Sequence, residues 1–63
     1  MNLINVYIAV MNYSDSKIKM YTAQMSPDYQ TDDIEDWLNN NTDYNDSTCY
    51  FMCSQNEIEV EYV

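Results

Sequence analysis

The chain has 63 residues, with eleven carboxylates against two lysines, no arginine and no histidine, for a formal charge of -9. That length admits one domain, and 46% apolar content with nine aromatic residues excludes a disordered acidic tail. The lack of histidine and glycine removes the usual general base and the glycine-built phosphate loop. Self-repulsion at this charge density works against a compact state, and so small a core has little with which to offset it. The acidity therefore points to a basic partner.

Residues 3–12 alternate around Ile4, Val6, Ile8 and Val10, a period of two rich in β-branched residues, and read as a strand. Tyr7, Ala9 and Met11 take its other face. Asn12 to Ser16 is a turn by composition, and residues 17–25 read as a second strand. A three-residue loop at 14–16 sets Met20 opposite Val10 and Ile18 opposite Asn12. A two-residue loop sets Lys19 opposite Val10 and wastes the apolar face, so the longer loop is expected.

Ser26-Pro27 breaks that strand. A helix is expected to begin near Thr31 or Asp32, with Thr31 as N-cap and Asp32, Asp33, Glu35 and Asp36 at the favourable end of the dipole. Ile34, Trp37 and Leu38 form one apolar stripe. Asn39-Asn40-Asn41 ends the helix through a left-handed asparagine. Two to three turns do not persist alone, so Trp37 must anchor the helix to a sheet.

Residues 42–47 are a polar loop. Residues 48–54 form a third strand, with Cys49, Phe51 and Cys53 on one face. Gln55-Asn56 then reads as a two-residue hairpin turn. Residues 57–63 read as a fourth strand, with Ile58, Val60 and Tyr62 on one face and Glu57, Glu59 and Glu61 on the other. That turn pairs Cys53 with Ile58, Phe51 with Val60 and Cys49 with Tyr62. The expected fold is ββαββ, an α+β domain of 1–63 with a four-stranded antiparallel sheet and one short helix packed on one face. With about fifteen core residues, a homodimer is also open.

The glutamate row Glu57, Glu59, Glu61 places three carboxylates on one strand face, about 6.7 Å apart. Imitating the phosphates of a nucleic acid takes a second row, which Asp32, Asp33, Glu35 and Asp36 can supply, joined by Asp28, Asp43 and Asp46. The bland reading is a solvated strand face that discourages edge-to-edge pairing. Tyr7, Tyr21 and Tyr50, with Met11, Met25 and Met52, fall on the outer sheet face in the expected register. Such residues are enriched at protein contacts, Tyr7 and Tyr50 being the candidates here. They also suit strands by propensity alone. Aromatics without basic neighbours argue against direct nucleic-acid binding.

Cys49 and Cys53 on one strand lie about 13 Å apart, beyond the roughly 7 Å that a disulfide spans. They read as small buried hydrophobes. No catalytic set, cofactor site or metal site emerges, and the acidic runs lack the glycine-turned loop of an EF-hand. Residues 3–11 are too short to span a bilayer, and a negative surface is repelled by anionic lipid, so a cytoplasmic location is expected.

Gly, Ala, Arg and Pro together occupy only Ala9, Ala23 and Pro27, the bias of an AT-rich genome. Such genomes normally supply many lysines, yet only Lys17 and Lys19 occur. With the carboxylates at 15, 28, 32, 33, 35, 36, 43, 46, 57, 59 and 61, the chain resembles, as a composition and not through a motif, the small acidic inhibitors encoded by bacteriophages. These include nucleic-acid-mimicking anti-restriction and anti-CRISPR proteins. The resemblance implies a non-enzymatic, cofactor-free inhibitor in the cytoplasm of an infected bacterium. It would occupy the basic nucleic-acid groove of a host defence nuclease or other nucleic-acid enzyme. The alternative reading is a small adaptor or assembly module that dimerises, or augments a partner sheet, through the Tyr/Met face.

Overall fold

β1 (Ile4–Asn12) is the central strand of a three-stranded antiparallel sheet of order β2-β1-β3. β2 (Lys17–Met25) and β3 (Cys49–Ser54) flank it, and one helix, α1 (Thr31–Asn41), lies between them in sequence. The computed structural model describes residues 2–63. The strongest β pattern in the chain thus takes the position where both strand edges are paired. Val6, Ile8 and Val10 are buried on the inner face, and Ile34 and Leu38 of α1 close over them with no exposure. Each such aliphatic side chain removed from water contributes about 1.5–3 kcal/mol.

The first hairpin corrects the expected register. Lys19, not Met20, stands opposite Val10, and the ladder closes at Asn12–Lys17 around a four-residue turn. Ser16 takes a left-handed φ of 55° at the end of that turn, in a chain with no glycine to offer. Asn12 Oδ1 accepts the Asp15 N–H at 3.1 Å. The physical reason lies further along the strand. This register turns Tyr21, Ala23 and Met25 inward, where Ala23 is buried and Tyr21 and Met25 pack against the core. The cost falls on Ile18 and Met20, which are 62% and 47% exposed on the outer face. Lys19 at the inner rim is not wasted, because it reaches Asp43 at 3.1 Å.

α1 begins at Thr31, within the expected start, but its cap differs. Gln30, not Thr31, is the N-cap, and the Asp33 carboxylate accepts the Gln30 N–H at 2.9 Å. Pro27 sits in the turn closed by Tyr29 N–H donating to the Ser26 carbonyl at 3.1 Å, where its fixed φ suits the second turn position. Trp37 anchors the helix through an edge-to-face contact with Tyr21, centroids 6.0 Å apart. The C-terminus is also corrected. The helix runs through Asn41 and ends on extended Thr42, with no left-handed asparagine. Thr42 donates both its N–H, at 3.0 Å, and its hydroxyl, at 2.6 Å, to the Leu38 carbonyl. Asn41 Nδ2 donates to the Trp37 carbonyl at 2.9 Å.

β3 pairs with β1 so that Cys49, Phe51 and Cys53 stand opposite Asn12, Val10 and Ile8, on the inner face as expected. Both cysteines are free thiols, Cys49 buried and Cys53 half-buried. The fourth strand is not formed. Residues 57–63 carry no strand or bridge, and the Gln55-Asn56 hairpin with its Cys53–Ile58, Phe51–Val60 and Cys49–Tyr62 pairs is absent. Tyr44, from the 42–48 connection, packs edge-on against Phe51 with centroids 5.8 Å apart. It thus meets the Phe51 side chain that the expected pairing set against Val60. Burial raises the Tyr44 hydroxyl pKa, with Glu35 and Asp46 adding in the same direction.

Candidate functional site

None of the three strands contains a carboxylate. All eleven lie in the hairpin turn, the loops, the helix and the C-terminal tail. Ten are exposed and Glu35 is half-buried. Among the described residues one ion pair forms, between Lys19 and Asp43. Both of its side chains are accessible, at 39% and 71%, so it contributes little to stability. It depresses the Asp43 pKa and raises that of Lys19, first through the hydrogen bond between them and then through their charges.

The helix brings Asp32, Asp33, Glu35 and Asp36 together within its first turns. They belong to the layer that covers the inner sheet face. Of these, Asp33 has a local duty at the N-cap. Glu57, Glu59 and Glu61 are exposed on the other side of the sheet. The tail passes over the outer face, and its Ile58 lines a cleft with Tyr7, Met20 and Thr22. Ile58 and Val60 line a second cleft of about 270 Å³ with Ala9, Met11, Met20 and Met52. This cover explains why Ala9 is only 8% exposed although it faces away from the core. The two acidic rows expected to act as one surface therefore lie on opposite faces of the sheet.

The tyrosines divide as well. Tyr50 is 62% exposed on the outer face and meets Tyr13 edge-on at 5.4 Å. Tyr7 is half-buried under the tail. Tyr21 and Met25, expected on the outer face, are on the inner one, because the hairpin register differs. Met11 and Met52 are outside as expected, at 44% and 54% exposure, and Met20, expected on the inner face, joins them at 47%. Tyr62, expected in the core, is 94% exposed, since its strand is absent.

Two features escaped the sequence reading. One is the exposed edge of β2, which carries Lys17 and Lys19 on one face and Ile18 and Met20 on the other. The other is the unpaired state of the tail backbone. The first was signalled by Lys-x-Lys in β2, which shares its period with Glu-x-Glu-x-Glu in the tail.

No helix among the described residues is long and apolar enough to cross a membrane. No cluster of three or more potential metal ligands occurs among them. The chain matches no known family, no curated protein and no solved structure.

Proposed function

We propose that this chain is a stoichiometric protein inhibitor that presents its acidic surface to the basic nucleic-acid groove of a defence nuclease or another nucleic-acid enzyme. The observation that carries this reading is the segregation of charge. Carboxylates are excluded from every strand and lie on the helix, loops and tail, with a single cation engaged among the described residues. Asp32, Glu35 and Asp36 form one contact row, with Asp33 beside them, and Glu57, Glu59 and Glu61 form a second row on the opposite side. Such a molecule suits a cleft with two basic walls better than a single flat patch. Tyr50 is the exposed aromatic anchor and Tyr7 a partly covered one, in keeping with the aromatic bias of binding hot spots. Action is by competition. No cofactor takes part, and the setting is the bacterial cytoplasm.

The test is inhibition of a panel of restriction and CRISPR-type nucleases by equimolar chain, with association rates measured across a salt series. Electrostatic steering predicts rates that fall steeply as salt rises. Replacing Glu57, Glu59 and Glu61 by Gln should weaken binding several-fold while the fold survives, and Asp32→Asn with Asp36→Asn should weaken it independently. A target bound equally well at high salt, or by both neutralised variants, refutes the reading.

A further inference from the structure

We propose that the C-terminal tail of one copy adds as a strand to the open β2 edge of a second copy. This goes beyond the inhibitor reading and does not depend on it. Three observations converge. First, the backbone groups of residues 57–63 make no hydrogen bond among the described residues, although Glu-Ile-Glu-Val-Glu-Tyr-Val alternates as a strand should. Second, β2 ends the sheet, so one side of its backbone is also unpaired. Third, the two patterns are complementary. An antiparallel pairing sets Glu61 against Lys17, Val60 against Ile18, Glu59 against Lys19 and Ile58 against Met20. Lys17 and Lys19, the latter already paired with Asp43, meet carboxylates on one face. The two most exposed apolar residues of β2 meet apolar partners on the other. A slip of one residue in either direction sets two of the three glutamates against Ile18 and Met20, so the register is specified.

The occupant is a second copy because the chain's own tail, which meets Met20 only from the outer face, falls short of this register at Ile58. Ile58 lies four residues beyond Ser54, a span of at most about 14 Å. Ser54 stands opposite Tyr7 and Tyr7 opposite Thr22. A strand outside β2 is three strand spacings from β3, about 14 Å, and Met20 is a further two residues along, about 7 Å. The direct separation is then about 16 Å, and the path must also climb over the sheet. The chain's own tail accordingly rests on the outer face instead. Edge lysines ordinarily repel a foreign strand; here they select an acidic one. Repulsion between two acidic bodies is screened beyond about 8 Å at physiological salt, whereas charges paired across adjacent strands lie closer than that.

Sedimentation equilibrium over a wide concentration range, with amide exchange of the tail, tests the proposal. The native chain should self-associate, and exchange at residues 57–61 should slow as concentration rises. Lys17→Glu with Lys19→Glu should weaken self-association about tenfold or more, and so should Glu59→Lys with Glu61→Lys. A mixture of these two double variants should associate again, because a basic tail then meets an acidic edge. Circular dichroism shows that each variant is folded. A native chain that stays monomeric, tail protection independent of concentration, or folded variants that fail to complement each other overturns the proposal.

Discussion

Leu38→Ala is the most exacting test of the packing that holds α1 to the sheet. Leu38 is fully buried among Val6, Ile8, Ile34 and their neighbours. Truncating a buried leucine costs about 2–5 kcal/mol, through lost transfer energy and the cavity left behind. Stability for 63 residues is about 3–9 kcal/mol at ordinary values per residue, and self-repulsion pulls this chain toward the lower end. The substitution therefore removes about a fifth of the stability at the very least, and about two thirds of it or more at the low end. The bonds that Thr42 donates to residue 38 go to its backbone carbonyl and survive the change. Any loss then reports the side chain and not the helix terminus. Urea titration followed by far-UV circular dichroism and by Trp37 fluorescence measures it, with exposed Asn40→Ala as the control, expected within about 0.5 kcal/mol of the native chain. A loss below about 1 kcal/mol for Leu38→Ala would refute the two-layer core.

Ser16→Gly relieves the left-handed residue of the first turn and should raise stability by about 1 kcal/mol, measured by the same titration. No gain would mean that the turn is held in another conformation. The Lys19–Asp43 pair makes a signed prediction in pH. The folded Asp43 pKa is depressed, so its contribution is present above the unfolded value of about 3.9 and is lost as pH falls through the folded one. The folded Lys19 pKa is raised, so its share is present below about 10.4 and is lost as pH climbs through the folded value. Carboxyl NMR titration should find Asp43 below the ordinary value, and Lys19→Gln should return it there. An Asp43 that titrates identically in both proteins refutes the contact.

Much of the architecture was legible because alternation and the 3.6-residue stripe are local. Ile4 to Val10 announced a strand, Ile34, Trp37 and Leu38 announced the helix and its buried face, and Cys49, Phe51 and Cys53 shared a face as expected. Two features were not legible, because both depend on residues distant in sequence. The hairpin register turned on Tyr21 meeting Trp37 and on Ala23 and Met25 packing into the core. A count of apolar residues near the turn favoured Met20 and Ile18 instead. The tail showed an amphipathic extended segment but not which surface would take it, since Phe51 packs against Tyr44 from a distant loop. The candidate site was readable as a set of acids. Their division between two faces was not, because it follows from where the tail crosses the sheet.

The placement of β1 between its two neighbours has a consequence for the order of assembly. During synthesis the first hairpin can close as soon as Met25 emerges, but the opposite flank of β1 stays bare while the helix and the 42–48 connection are made. Until Cys49–Ser54 arrives, Val6, Ile8 and Val10 have a ribbon on one side and a ragged margin on the other. A nascent chain halted before that point is the form most exposed to proteases and to mispairing.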